Sequence, residues 1–305
     1  MVHEHCVVKC AFPEDLAIYS PMGCGYQTGA GTVLNILKPK PDQTVAVFGA
    51  GSVGFAAIMA AAATSVGQII AVDIVEPKLA LAKELGATHT INTSNIKGTV
   101  IDEVMAMTGS RGVDFAIDTT GVSAVVEKML DCLAYGGTAA SVGAPPREER
   151  ISVGSGAFFA GKKTWLSVAE GDSHPPEVVV PCYSESSRLL TTNQFIPKLI
   201  ELHRQGKFPV EKISKVYPVA ELKKAISDMK NGTVRLRLDR WRYRKLTATG
   251  RQSNHRVLGI SDRMSWVVAA LSLTCVMTDS SSVAACELCR FNCARGNVVH
   301  MHCCE

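Results

Sequence analysis

Long apolar runs are missing from this chain. The opening MVHEHCVVKC carries no hydrophobic stretch of the kind a secretory signal needs. The most apolar late segment, SWVVAALSLTCVM at Ser265–Met277, is 13 residues, short of the roughly 20 that a spanning helix requires. No membrane partner is expected, and the body is expected to be cytoplasmic with its thiols reduced. A strong charge of either sign is missing too. Net charge is +4 over 305 residues, too mild to argue for nucleic acid. The excess is local: residues 233–305 hold 11 Lys/Arg against 5 Asp/Glu, while residues 1–232 hold 21 against 23. Hydrophobic content of 47% and charged content of 20% suit a globular protein with a core of normal size. The length allows two domains.

What is present is a regular alternation. TVAVFG, IIAVD, HTIN, GVDFAID, TAASVG and TWLSVAEG read as short buried strands. Helical patterns separate most of them: SVGFAAIMAAAATSV, EPKLALAKELG, VIDEVMAMTG, and VSAVVEKMLDCLAYGG with two glycines closing it. Strands that are apolar on both faces and separated by helices point to a doubly wound parallel α/β sheet. The first strand runs into Gly49-x-Gly51-x-x-Gly54 and then a helix. Gly49 permits a tight turn, Gly51 lets a pyrophosphate approach the backbone, and Gly54 lets helix and strand pack closely. Ser52 and Val53 complete the turn at the helix start, where free N–H groups favour phosphate. Asp73 ends the next strand, 19 residues after Gly54. A carboxylate there accepts both ribose hydroxyls and repels a 2′-phosphate, so NAD is expected rather than NADP.

A second glycine-rich turn precedes this one. PMGCGYQTGAGTVLNILKPKPDQTVAVFGAGSVG, with AVDIVEPKLALAKELGATHTIN, DFAIDTTG, GGTAASVGAP, EGDSHP and FIPKLIELHRQGKFPVEKI, resembles the zinc-dependent medium-chain alcohol dehydrogenases, and within them the aryl-alcohol branch. The resemblance covers residues 2–232 with one gap. It implies a Rossmann domain at 35–176, a remnant of a GroES-like catalytic domain at 1–34, and a family segment at 194–232. It implies that Cys24 is a ligand of a catalytic zinc and that Thr28 contacts the nicotinamide. Lys78 would lie near the adenosine ribose, and Thr119, Val142, Val168 and Glu170 would line the cofactor crevice. The reaction implied is hydride transfer between a small alcohol or aldehyde, aryl or another primary alcohol, and NAD, with zinc lowering the pKa of the bound alcohol. A homo-oligomer would form through Gly156–Val168.

A catalytic zinc takes three protein side chains, and the resemblance places the partners of Cys24 in a segment expected ahead of residue 1. His3, His5, Cys6 and Cys10 do not have the spacing of a known site. The zinc site is therefore expected to be incomplete. Three readings follow: a zinc alcohol dehydrogenase by descent, a non-catalytic NAD(H)-binding protein, and a zinc-independent reductase, against which Cys24 and Asp73 both speak.

Two segments lie outside the resemblance. Glu177–Asn193 lacks periodicity and reads as a retained intron, or else as a surface loop insertion. Residues 233–305 read as read-through or a shifted frame, with poor order expected. Within them RLRLDRWRYRK would suit nucleic-acid phosphates. Six of the 11 cysteines fall in the last 31 residues, where Cys286, Cys289, Cys293 and His300 approach zinc spacing. Neither is expected to be a working site, and no nucleic-acid partner is expected.

Overall fold

Valine, isoleucine and alanine fill most of the central strands, and successive side chains enter opposite layers. The computed structural model describes residues 7–172, 192–218, 221–230, 236–239 and 266–268. A short strand β1 (Val7–Lys9) and helices α1 (Leu16–Tyr19) and α2 (Gly25–Gly31) come first. The central unit follows as β2 (Thr44–Phe48), α3 (Ser52–Ala63), β3 (Gln68–Asp73), α4 (Glu76–Glu84), β4 (His89–Asn92), α5 (Val100–Met107), β5 (Val113–Asp118), α6 (Ser123–Asp131), β6 (Leu133–Ser141), α7 (Ser155–Ala160) and β7 (Thr164–Ser167). Its six strands form one parallel sheet in the order β4-β3-β2-β5-β6-β7. The chain starts in the middle, works outward to β4, and returns to lay β5 against the other side of β2. That reversal makes the doubly wound Rossmann fold and opens a crevice at the carboxyl ends of β2 and β5.

Two layers of core follow from the alternation. Val45, Val47, Ile69, Ala71 and Ile117 pack with Phe55, Ile58 and Met59 of α3 and Leu79 of α4. Ala46, Phe48, Ile70, Val72 and Ala116 pack with Val100 and Val104 of α5 and Val126, Met129 and Leu130 of α6. Residues 54–61 of α3 are all buried, because α2 covers the side that α3 turns away from the sheet. A Cβ on Gly29 would overlap the Val53 carbonyl oxygen. At the start of the sheet, Asp114 Oδ2 accepts from the Thr44 N–H and hydroxyl, each at 2.8 Å, which ties β5 to β2.

The remaining described elements are α8 (Thr192–Arg204), β8 (Lys215–Pro218), α9 (Leu222–Lys230), β9 (Leu236–Asp239) and β10 (Trp266–Val268). Helix α8 grips α1: Tyr19 Oη shares a 3.0 Å hydrogen bond with His203 Nδ1, and Arg204 pairs with Asp15 at 3.5 Å. Strand β8 pairs parallel with β9, and β1 pairs antiparallel with β10.

One element differs from the sequence reading. The helix expected to run through CLAYGG stops at Asp131, and β6 begins at Leu133 with both glycines inside it. Val113 pairs with Leu133 but Phe115 pairs with Thr138, so β6 carries extra residues there, and Gly136 absorbs the irregularity at φ 72°. Glycine punctuation here marks a bulge, not a helix end.

The segment Gly156–Val168 holds most of α7 and all of β7, with Phe159 86% exposed. His3, His5 and Cys6, residues 177–191 of the non-family segment, and the late cysteines with His300 lie outside the described residues. Of residues 233–305 only β9 and β10 are described. Among the described residues no helix is long and apolar enough to cross a membrane.

Because no side chain fits between α2 and α3, Gly29→Val is expected to destabilise the fold by about 1–3 kcal/mol through overpacking. A lowered urea midpoint with an unchanged slope would show it; an unchanged midpoint would mean the two helices separate freely.

Candidate functional site

Four hydrogen bonds run like steps along the carboxyl edge of the sheet. Gly49 N–H donates to Val72 O at 2.8 Å, Thr119 N–H to Phe48 O at 2.9 Å, Val142 N–H to Asp118 O at 2.9 Å, and Val168 N–H to Ser141 O at 2.9 Å. Each joins the residue just past one strand to the end of its neighbour. Gly49, Thr119, Val142 and Val168, all singled out in the sequence, are thereby brought to one edge.

The centre of that edge is the turn from β2 into α3. Gly49 has φ 96°, and a Cβ on it would lie 2.6 Å from Thr119 Oγ1. A Cβ on Gly54 would overlap the Gly49 carbonyl oxygen. Thr119 Oγ1 donates to the Gly49 oxygen at 2.9 Å and lies 3.1 Å from that of Phe48, holding the turn from the β5 side. Gly51 is extended at the N-cap of α3, and Ser52 begins the helix without a side-chain cap. The N–H groups of this first turn are the unsatisfied donors of a 12-residue helix, with a partial positive charge behind them.

Asp73 stands on the β3 side. Its Oδ2 accepts the Ala50 N–H at 2.7 Å, and its Oδ1 accepts those of Ile74 at 2.8 Å and Val75 at 2.9 Å. Lys78 Nζ, at the start of α4, lies 3.8 Å from Oδ2. The acid is thus braced on both oxygens, and it ties the glycine turn to its own strand end.

A second cluster stands beyond β7. Cys24 Sγ lies 4.0 Å from Glu170 Oε1. Gln27 Nε2 donates to Gly23 O at 2.9 Å and to Glu170 Oε2 at 2.8 Å. Thr28 Oγ1 donates to Cys24 O at 2.9 Å. The backbone at Glu170, Gly171 and Asp172 is left-handed throughout, with φ 50°, 63° and 49°. A Cβ on Gly31 would overlap the Gly171 oxygen, so this turn presses directly on α2. Burial pushes the Glu170 carboxyl up, and the Gln27 amide acts against that shift. Cys10, weighed as a further metal ligand, is buried, with its thiol 3.2 Å from Phe12 O.

Two residues of this edge escaped the sequence reading. Gln27 is 3% exposed, and its Oε1 has no hydrogen-bond partner. Asp118 is fully buried at the end of β5, where its carboxylate accepts from Thr120 N–H at 2.9 Å, Thr120 Oγ1 at 2.6 Å and Gly121 N–H at 3.2 Å. It shapes the turn that carries Thr119. A signal for it existed: DFAID ends in aspartate as IIAVD does. For Gln27 the sequence carries none.

Burial pushes the Asp118 carboxyl above the ordinary aspartate value, with the Thr120 and Gly121 donors opposing. Below that value both folded and unfolded chains hold the proton. As pH rises from there the unfolded chain releases it first, so this residue's contribution to stability falls until the folded group also ionises. Asp118→Asn is therefore expected to make stability fall less steeply with pH across that window, whatever its effect on absolute stability. Urea midpoints taken at successive pH values test this, and an identical slope in both proteins would contradict it.

With this geometry in view, the likenesses to known proteins are consistent. The profile described as zinc-binding dehydrogenase matches residues 52–185. Geraniol dehydrogenase from Castellaniella defragrans is 30% identical over 225 residues, covering 74% of this chain and 55% of that protein. An alcohol dehydrogenase zinc-binding domain protein from Burkholderia ambifaria superposes with a TM-score of 0.62 at 39% identity, over 70% of this chain and 52% of that one. Benzyl alcohol dehydrogenase from Acinetobacter calcoaceticus does so with a TM-score of 0.62 at 36% identity, over 70% and 54%. The chain thus spans about half the length of the relatives it matches. By sequence and by fold, it is similar to the medium-chain, zinc-binding alcohol dehydrogenases.

Proposed function

We propose that this chain binds NAD(H) across the carboxyl edge of its sheet, and that it is the cofactor-binding half of an alcohol dehydrogenase acting on aryl or other primary alcohols. The observation that carries this reading is the cradle at Gly49–Gly54. Neither glycine has room for a Cβ against Thr119 Oγ1 or the Gly49 carbonyl, so backbone alone shapes the turn, and it opens onto the bare N–H groups of α3. A pyrophosphate fits there with no side chain displaced. Ser52 and Val53 would offer it their backbone N–H groups.

Asp73 would accept the adenosine ribose hydroxyls, sharing lone pairs with the three N–H groups it already holds, and Lys78 would lie beside the same ribose. The nicotinamide half would cross β2 towards β5, β6 and β7. Thr119, Val142 and Val168 would line its path, with Thr28 and Glu170 at its far end. When bound, NAD supplies the acceptor for a hydride leaving the alcohol carbon, as the alcohol becomes an aldehyde and a proton is released. The substrate class follows the names of two relatives, which are those of benzyl alcohol and geraniol.

Zinc fits less well. Cys24 is the residue that the resemblance marks as a ligand, and Glu170 is the carboxylate beside it at 4.0 Å. Among the described residues no three His, Cys, Asp or Glu side chains are grouped so as to hold a metal, and a catalytic zinc takes three. No step is therefore assigned to the metal in this chain.

Asp73→Ala is expected to weaken NADH binding about tenfold or more, because hydrogen bonds to a charged group contribute about 1.5–3 kcal/mol. It should also erase the preference for NADH over NADPH, since the charge that repels a 2′-phosphate is gone. Fluorescence titration with both dinucleotides, alongside a circular dichroism check of folding, measures this. A variant with full NADH affinity and unchanged selectivity would remove Asp73 from the ribose.

A further inference from the structure

Gln27 holds two turns that come from distant parts of the chain. It lies in the first turn of α2, three residues after Cys24, and its bond to Glu170 spans 143 positions of sequence. Both partners of its Nε2, Gly23 O and a Glu170 carboxylate oxygen, are acceptors only. The amide must therefore turn its nitrogen towards them. That leaves Oε1 buried without a hydrogen-bond partner, a costly arrangement in a protein interior.

The other side of the bond is costly as well. Glu170 and Asp172, neither of them glycine, are both left-handed around Gly171. Such backbone persists only where its surroundings hold it, and it concentrates at ligand clamps and switches. Packing alone would be served by an apolar side chain at position 27. A buried amide with one atom unsatisfied, fastened to a strained turn, has a different purpose: it fixes the distance between the Cys24 turn and the Glu170 turn. Those two turns stand on the β7 side of the phosphate cradle, opposite Asp73 and Lys78.

We propose that Gln27 is a positioning residue: its amide clamps the Cys24 turn to Glu170 and so sets the width of the crevice at its nicotinamide end. This rests on the cofactor reading above. The clamp acts on one half of the dinucleotide only. Adenosine and the phosphates meet Asp73 and the Gly49–Gly54 turn, whereas the hydrogen bonds of Gln27 go to Gly23 and Glu170.

The test uses the full chain and two probes, NADH and ADP-ribose, which shares everything with the cofactor except the nicotinamide. Gln27→Glu keeps the size of the side chain but turns its donor into an acceptor facing the Glu170 carboxylate. It is expected to weaken NADH about tenfold and to leave ADP-ribose within about twofold, because the crevice loses its set width at the nicotinamide end only. The double variant Gln27→Glu/Glu170→Gln reverses the donor and acceptor of that pair, and it should recover NADH affinity in part, because Gly23 O still faces an acceptor. The proposal is overturned if Gln27→Glu weakens both probes alike, as general loss of structure would, if it leaves NADH binding unchanged, or if the exchanged pair recovers nothing. A parent chain that binds neither probe would overturn the cofactor reading itself, and the clamp with it. A parent chain that binds both, with an unresponsive Gln27→Glu, would overturn the clamp alone.

Discussion

No side chain fits between the first turn of α3 and the strand turn that leads into it. Gly54 meets the Gly49 carbonyl there without room for a Cβ, and one turn of backbone away Gly29 meets the Val53 carbonyl in the same manner. The rest of the molecule depends on these two contacts. The first aims the bare end of α3 at the crevice. The second lays α2 along α3, which buries α3 on every side and brings Cys24, Gln27 and Thr28 to the edge of the sheet. Hydrophobic burial supplies most of the stability of such a layered fold. The glycines decide where its backbone can be approached.

Around that centre the polar groups divide by strand. Asp73 ends β3 with Lys78 beyond it, Asp118 ends β5 and is buried there, and Glu170, held by Gln27, stands past β7. Each acid organises backbone before it meets any ligand. Asp73 ties down Ala50, Asp118 ties down Thr120 and Gly121, and Glu170 is tied to the turn of Cys24. The crevice is therefore largely formed in advance, which lowers the ordering entropy that the protein itself would lose on binding a ligand.

Much of this was legible in the sequence, because it is local. A strand, three spaced glycines, a helix and an acid at the next strand end all lie within 30 residues, from Thr44 to Asp73. The alternation of apolar strands likewise foretold the six-stranded sheet. What was hidden is long-range. Gln27 reads as an ordinary polar residue of a turn, since the partner that makes it a clamp is 143 positions away. The glycines at 136 and 137 imitate a helix end, and only the pairing of Val113 with Leu133 shows them to be inside a strand. The strand Leu236–Asp239 falls just past the point where the family likeness ends, and its pairing with β8 is invisible without coordinates.

The most direct measurement is amide hydrogen exchange on the full chain with and without saturating NADH. Ligand contact should slow the amides of the bare first turn of α3, from Ser52 to Gly54, together with those just past β3, β5 and β6. Helices α5 and α6, on the far layer, should exchange as before. Binding without protection at the Gly49–Gly54 turn, or protection centred elsewhere, would contradict the account at its core.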